Sequence, residues 1–204
     1  MDKIKIAKIL LESGAVTLSP DAPYTYASGI KSPIYCDNRQ LISHIEFRKK
    51  IVDAFLDKMK ELKIDCDVIA GTATAGIPWA AWISDRLNKP MIYVRGESKD
   101  HGKKNLIEGK LAAGQRVVVI EDLISTGGSS VVAVKAVQAT GAQVVHCLAI
   151  FTYQMKKGIE AFENVRVPLS TLSDFVTLVS VACGKGIIND TQKCIVLDWS
   201  RDPD

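Results

Sequence analysis

No stretch of the sequence approaches the ~18 consecutive apolar residues that a membrane-spanning helix needs. The amino terminus, MDKIKIAKILLESG, spaces charges through its apolar residues where a secretory leader would have an unbroken apolar core. A cytoplasmic protein without membrane contact is therefore expected. Cys36, Cys66, Cys147, Cys183 and Cys194 are an odd, scattered set with no C-x-x-C pair. That pattern gives no disulfide framework, and most are expected to be buried, reduced thiols. A charge excess of one sign is also missing: 26 Lys and Arg against 23 Asp and Glu leave +3, too slight for a nucleic-acid-binding face. His44, His101 and His146 lie far apart and form no metal-ligand motif. Neither G-x-x-x-x-G-K-[ST] nor G-x-G-x-x-G occurs, so P-loop and dinucleotide readings are poor. The sequence contains no internal repeat and no low-complexity segment.

What is present is material for one core of ordinary size. Hydrophobic residues are 47% of the 204 and charged residues 24%, as in a single domain with at most a small appended lobe. Ile4, Ile6, Ile9 and Leu10 against Lys3, Lys5 and Lys8 predict a short amphipathic helix stopped by Gly14. Ala15–Leu18, Tyr24–Ser28 and Pro33–Cys36 read as short strands between Pro20, Pro23 and Gly29. Met1–Arg39 is thus expected to form a hood, with the division of the chain at 1–43 and 44–204. From His44 helices and apolar strands alternate. Helices are predicted over His44–Leu62, Ile77–Leu87, Gly128–Thr140, Lys156–Asn164, Leu172–Cys183 and Asp190–Trp199. Strands are predicted over Cys66–Gly71, Pro90–Arg95, Arg116–Asp122, Gln143–Tyr153 and near Val167. Continuous apolar strands separated by helices predict an α/β fold: a central, mostly parallel sheet flanked by helices on both faces.

Ligands of such sheets bind beyond the carboxyl ends of the strands, and three of those ends carry unusual residues. After the most apolar strand comes Glu121-Asp122-Leu123-Ile124-Ser125-Thr126-Gly127-Gly128-Ser129. Its glycines let successive N–H groups turn inward at a helix amino terminus, a cradle for phosphate, to which Ser125, Thr126 and Ser129 add hydroxyls. A pure phosphate site would avoid the two carboxylates, whereas vicinal ribose hydroxyls need acceptors. The alternative is a capped helix with solvated acids. Gly71-Thr72-Ala73-Thr74-Ala75-Gly76 offers a second anion subsite or a plain tight turn. Arg95-Gly96-Glu97-Ser98-Lys99-Asp100-His101-Gly102-Lys103-Lys104 is polar and aperiodic. It reads as a solvated loop or as a cationic lid over a polyanionic substrate.

VVVIEDLISTGGSS (Val117–Ser130) resembles, along its full length, the phosphoribosyl-diphosphate (PRPP) motif of type I phosphoribosyltransferases. YTYASGIKSPIYCDNR (Tyr24–Arg39) and VRGESKDHGKKNLIEG (Val94–Gly109) narrow the resemblance to the orotate branch of that family, and the order of the segments agrees. The resemblance implies the type I phosphoribosyltransferase fold with a small amino-terminal hood. It also implies transfer of ribose 5-phosphate from PRPP to orotate, giving orotidine 5′-monophosphate and diphosphate in UMP synthesis. Glu121 and Asp122 would hold the ribose 2′- and 3′-hydroxyls. Leu123 and Ile124 would belong to the PRPP-binding segment with Ser125, Thr126, Gly127, Gly128 and Ser129, the last five holding the 5-phosphate, and Ser125 would also contact orotate. Arg95, Lys99 and His101 match lid residues that engage diphosphate in the neighbouring subunit's site, so a homodimer with a lid acting in trans is implied. Lys99, His101 and Asp122 are the expected catalytic residues, with Mg²⁺ held mainly by substrate and water.

The chain departs from some orotate enzymes at four places. Thr74-Ala75 stands for a Tyr-Lys pair, Gly96 for a second lid Lys, Ala27 for a Lys, and Tyr153 near an expected Arg. Lys31, Lys103 and Lys104 are candidate substitutes for the lost charge. A purine phosphoribosyltransferase and a PRPP-sensing regulator without turnover are the alternatives. The hood argues against the first, and the lack of a basic face or winged helix against the second.

Overall fold

The structure, a computed structural model, describes residues 2–25, 29–96 and 106–201. Helix α1 (Lys3–Glu12) starts at Asp2, whose carboxylate accepts from the Ile4 and Lys5 N–H groups. It ends at Ser13, and Gly14 then turns the chain at φ +74°. Four short strands follow: β1 (Val16–Leu18), β2 (Tyr24–Thr25), β3 (Lys31–Ser32) and β4 (Ile34–Cys36). β1 pairs with β4 and β2 with β3, both antiparallel. A 3₁₀ turn at Asn38–Ile42 leads into α2 (Ile45–Glu61), β5 (Val68–Thr72), α3 (Gly76–Leu87), β6 (Met91–Val94) and β7 (Ile107–Glu108). The second half runs β8 (Arg116–Ile124), α4 (Gly128–Gln138), β9 (Gln143–Thr152), α5 (Lys156–Val165), β10 (Leu169–Asp174), α6 (Phe175–Gly184) and α7 (Asp190–Arg201).

The main sheet has six strands in the order β10-β9-β8-β5-β6-β7. All pairs are parallel except β6–β7 at one edge. The expected α/β architecture is therefore present. Its central strands carry unbroken apolar runs, such as Val117–Ile120 and Cys147–Phe151, because helices cover both faces. Alternation along β8 shows the two layers: Val117 and Val119 pack with Ala133, Val134 and Val137 of α4. Val118 and Ile120 join the opposite core with Trp79 and Ile83 of α3. Ile6 and Leu10 of α1 belong to that second core, together with Phe175 and Leu178 of α6. Lys3 and Asp174 fasten α1 there at 2.6 Å. Burial opposes ionisation of Asp174, but the Lys3 ammonium and the Thr177 N–H outweigh it and hold its pKa low.

Several expected elements shift. Leu172–Asp174 is the end of strand β10, not the start of a helix, and the strand begins past Val167, at Leu169. TLSDFVTLVS is apolar at too many positions for one period to dominate. Pairing with β9 (Ser173 opposite Phe151) and the Asp174 cap, which accepts the Thr177 N–H at 2.9 Å, decide the boundary. The edge strand β7, the strand β3 and the 3₁₀ turn were not expected, being too short to show a periodicity. Cys66 and Cys147 are buried as expected, Cys36 and Cys183 are half-buried, and Cys194 is exposed on α7.

Candidate active site

Chain order moves outward from β5 to β6 and β7, then returns to β8 beside β5 and moves outward again through β9 and β10. The direction of winding reverses between β5 and β8. A crevice opens at the carboxyl ends of two such strands, because their following helices leave on opposite sides. The Gly71–Gly76 loop leaves β5 there and the Glu121–Ser129 segment ends β8 there, so the fold brings both sequence-predicted loops to one place.

Glu121 and Asp122 are consecutive on β8, and their carboxylates lie within hydrogen-bond reach of each other. Glu121 is 4% exposed and turns toward α4, where its Oε2 accepts from Ser130 Oγ at 3.0 Å and Ser129 Oγ at 3.3 Å. Its other oxygen accepts the Asp122 N–H at 3.1 Å. Asp122 is half-buried on the hood side, where the Asn38 side-chain amide donates to its carbonyl at 2.8 Å. Burial raises both pKa values above the ordinary carboxylate range, and the Asp122 charge lifts Glu121 further. A hydrogen bond with the Glu121 side chain, then the Leu123 N–H and, more remotely, Arg39 favour ionised Asp122 without overcoming burial. Neither carboxylate forms an ion pair among the described residues. The pair is two acceptors held in a dry setting with few donors, suited to hydroxyl groups or to developing positive charge.

After Ile124 the backbone turns through Ser125, half-buried, and Thr126, exposed. Gly127 then starts α4 at φ 77°, and no side chain caps the helix. Its first N–H groups are left for an anion. Only Gly127 needs glycine's backbone freedom. Gly128 has no such φ, and a Cβ there would meet nothing nearer than 4.0 Å. Ser129, expected as a phosphate donor, directs its hydroxyl to Glu121 at 3.3 Å, and its backbone N–H lies in the first turn of the uncapped α4.

The glycines of the second loop have a packing explanation. A Cβ on Gly71 would lie 2.9 Å from Ile77 Cα, and one on Gly76 would collide with the Ile120 carbonyl of β8. They let α3 begin directly against β8, which closes the crevice floor. The Ala73–Thr74 peptide in this loop is cis, and the buried Thr72 hydroxyl has no hydrogen-bond partner among the described residues. Gly158 on α5 serves β8 in the same way from the other side, since a Cβ there would lie 2.5 Å from the Ser125 carbonyl.

Arg95 follows β6 at the mouth of the crevice, with its N–H bonded to the Leu106 carbonyl at 2.8 Å and Nη1 3.7 Å from Glu108 Oε1. Lys99, His101, Lys103 and Lys104, as well as Ala27 of the hood, lie outside the described residues. His146 is a strand residue whose Nε2 is 3.0 Å from Ser170 Oγ. Among the described residues no group of His, Cys, Asp and Glu could by itself hold a metal ion, and no helix is long and apolar enough to cross a membrane. Sequence reasoning missed Asn38, the polar bridge from hood to Asp122. It lies within the quoted hood segment, but nothing in its spacing marks it.

A family profile described as "Phosphoribosyl transferase domain" matches residues 38–181. Among curated relatives, orotate phosphoribosyltransferase of Coxiella burnetii is 49% identical over 200 residues, covering 98% of this chain and 96% of that protein. The enzyme of the same name from Staphylococcus saprophyticus is 52% identical over 194 residues, 95% and 96% of the two chains. Among solved structures, Aeropyrum pernix orotate phosphoribosyltransferase aligns with a TM-score of 0.77 at 29% identity, over 90% of this chain and 99% of that one. Leishmania donovani UMP synthase aligns with a TM-score of 0.79 at 28% identity, over 97% of this chain but 42% of that longer one. With two carboxylates and an uncapped helix at its switch point, and with relatives matching it nearly end to end, this chain belongs to the orotate phosphoribosyltransferase family.

Proposed function

We propose that the protein transfers the 5-phosphoribosyl group of PRPP to orotate, forming orotidine 5′-monophosphate and diphosphate for UMP synthesis. The observation that carries this reading is the meeting, at the end of β8, of the Glu121–Asp122 pair with the uncapped amino terminus of α4. One suits hydroxyls and the other a phosphate, the two kinds of group that a ribose 5-phosphate carries. A Mycobacterium tuberculosis relative has been solved in complex with PRPP; it aligns with a TM-score of 0.67 at 25% identity, which supports the same ligand here.

In this reaction the C1–oxygen bond to diphosphate breaks, and its electron pair leaves with diphosphate. Orotate N1 supplies the pair for the new C1–N1 bond. The ribose gains positive character between these events, as in glycoside cleavage, and no covalent nucleophile is required. Asp122 is placed to stabilise the cationic ribose, with Glu121 held by Ser129 and Ser130 behind it. Ser125, Thr126, Gly127, Gly128 and Ser129 bind the 5-phosphate, and Ser125 also contacts the base. Arg95, Lys99 and His101 engage the diphosphate, with Lys99 the main stabiliser of leaving-group charge and His101 a proton donor. The lid acts on the neighbouring protomer's site in a cytoplasmic homodimer. The all-oxygen donor set at the end of β8 suits a hard divalent cation. Mg²⁺, carried mainly by substrate oxygens and water, would neutralise charge on the leaving diphosphate.

The test is to add PRPP and Mg²⁺ and follow orotate's ultraviolet absorbance, with adenine, hypoxanthine and xanthine as competing bases. A fall with orotate alone is expected. No fall with folded protein would overturn the choice of base. Lys99→Ala is expected to lower kcat by at least ~10²-fold, the scale of one lost transition-state donor, and a change under about threefold would remove the lid from the mechanism.

A further inference from the structure

Trp199, near the end of α7, joins three parts of the molecule that lie far apart in sequence. Its indole Nε1 donates to the Lys31 carbonyl of β3 at 2.9 Å. Its ring stands edge-on to Tyr153 at 6.2 Å and tilted against Phe175, also at 6.2 Å. Tyr153 in turn gives its backbone N–H to the Ile124 carbonyl at 3.1 Å, immediately before Ser125. A second polar tether runs from the same helix to the hood: Gln192 Nε2 donates to Asp21 Oδ2 at 2.6 Å.

The β2–β3 hairpin needs such support. It consists of two residue pairs, Tyr24 with Ser32 and Thr25 with Lys31, and so small a hairpin does not hold its shape alone in water. From Lys31 the chain passes through Pro33 into β4, whose last residue, Cys36, lies close enough to Asp122 for that carboxylate to raise the thiol's pKa, after burial itself. Any movement of the hairpin is therefore passed along five residues to the crevice. The Lys31 carbonyl is a backbone acceptor, so the contact fixes where the strand lies rather than which side chain it carries.

We propose that α7 is a clasp on the hood, with Trp199 a positioning residue that sets the affinity for the accepting base without touching either substrate. The proposal rests on the reading above and takes the base to approach the ribose beside Asp122, against which the hood lies through Asn38 and Cys36. It assigns a function to the carboxy-terminal helix, which lies past the end of the matched family domain at residue 181.

Trp199→Phe keeps an aromatic ring against Tyr153 and Phe175 and removes only the N–H donor. KM for orotate is expected to rise ~3- to 10-fold, the span of one lost hydrogen bond, with kcat and KM for PRPP within about twofold of wild type. Amide hydrogen exchange at Thr25, Lys31 and Ser32 should quicken. Gln192→Ala should move the same two readouts in the same direction by less, which keeps the test open should Trp199→Phe fold poorly. Unchanged exchange overturns the clasp. Faster exchange with an unchanged KM for orotate, or a loss spread over kcat and both KM values, overturns its role in base affinity. Should the wild type leave orotate untouched, the choice of base fails with it, and exchange at Lys31 alone decides whether the clasp exists.

Discussion

The two ends of β8 carry charge in opposite ways. At its start, Arg116 meets Asp65 at 2.6 Å and Asp67 at 2.8 Å. The hydrogen bonds from Arg116 hold Asp67 down to about 2, and both carboxylates there share the Arg116 guanidinium as their counter-charge. At its other end, Glu121 and Asp122 are adjacent like charges, removed from water and with raised pKa values. The first end is exposed and electrostatically complete; the second is buried and incomplete. An arrangement of the second kind costs stability in the empty protein, and such perturbed groups collect where a ligand completes them. A strand with only the first kind would be more stable and would offer a ligand no charge to complete.

The contrast can be broken from either end. The largest effect is expected from Asp122→Asn, which removes a charge from the incomplete end. Kcat should fall by ~10²-fold or more, while Tm at neutral pH does not fall. A large loss of Tm with little change in kcat would make Asp122 a structural residue. Gly76→Ala comes next, because its Cβ meets the Ile120 carbonyl. Overpacking of this kind costs about 1–3 kcal/mol, and with α3 pushed off β8 the crevice should lose activity as well. Denaturant melts and kinetics on one sample check both, and an unperturbed variant would show that the two loops are not held together there.

Glu121→Gln should have a smaller and pH-dependent effect on stability. A carboxyl whose folded pKa is raised favours the protonated form in the native state. The wild type therefore loses stability as pH climbs above the ordinary carboxylate value of ~4.3. The glutamine cannot ionise, so the variant should melt higher than wild type at and above neutral pH, with the gap closing toward pH ~4. A gap that widens in acid would reverse the assignment. Arg116→Ala should be mildest: Tm falls and kcat stays within about twofold. The folded pKa of Asp67, about 2, lies below its unfolded value of ~3.9. Its contribution is thus present above that value and lost as pH falls toward 2. The Tm difference between wild type and Arg116→Ala should shrink over the same acid range.

Much of this site was readable in sequence because its parts are local. Strand β8, its two carboxylates and the glycine turn into α4 are consecutive residues whose conformations depend mainly on one another. The partners of the two carboxylates were less legible: Ser129 and Ser130 donate to Glu121, which also shares a hydrogen bond with Asp122. The loop glycines show the limit of local reading. Gly71 and Gly76 read as an anion subsite or as a plain tight turn, and the close approach of Ile77 and Ile120 gives them a packing role that exists only once α3 lies on β8. The change from strand to helix inside TLSDFVTLVS has the same origin, since only pairing with β9 selects one of two compatible periods.

The sequence by itself thus determined the alternation of apolar strands with helices, the mostly parallel sheet, and the chemistry at the end of its strongest strand. These follow from short-range periodicity and from the donor and acceptor properties of neighbouring side chains. Tertiary structure alone decided the strand order that brings the loops after β5 and β8 together, the Asn38 bond to the Asp122 carbonyl, and the hold of Trp199 on Lys31. Those contacts join residues 84 and 168 positions apart. No local pattern encodes them, because their partners meet only after the core has closed.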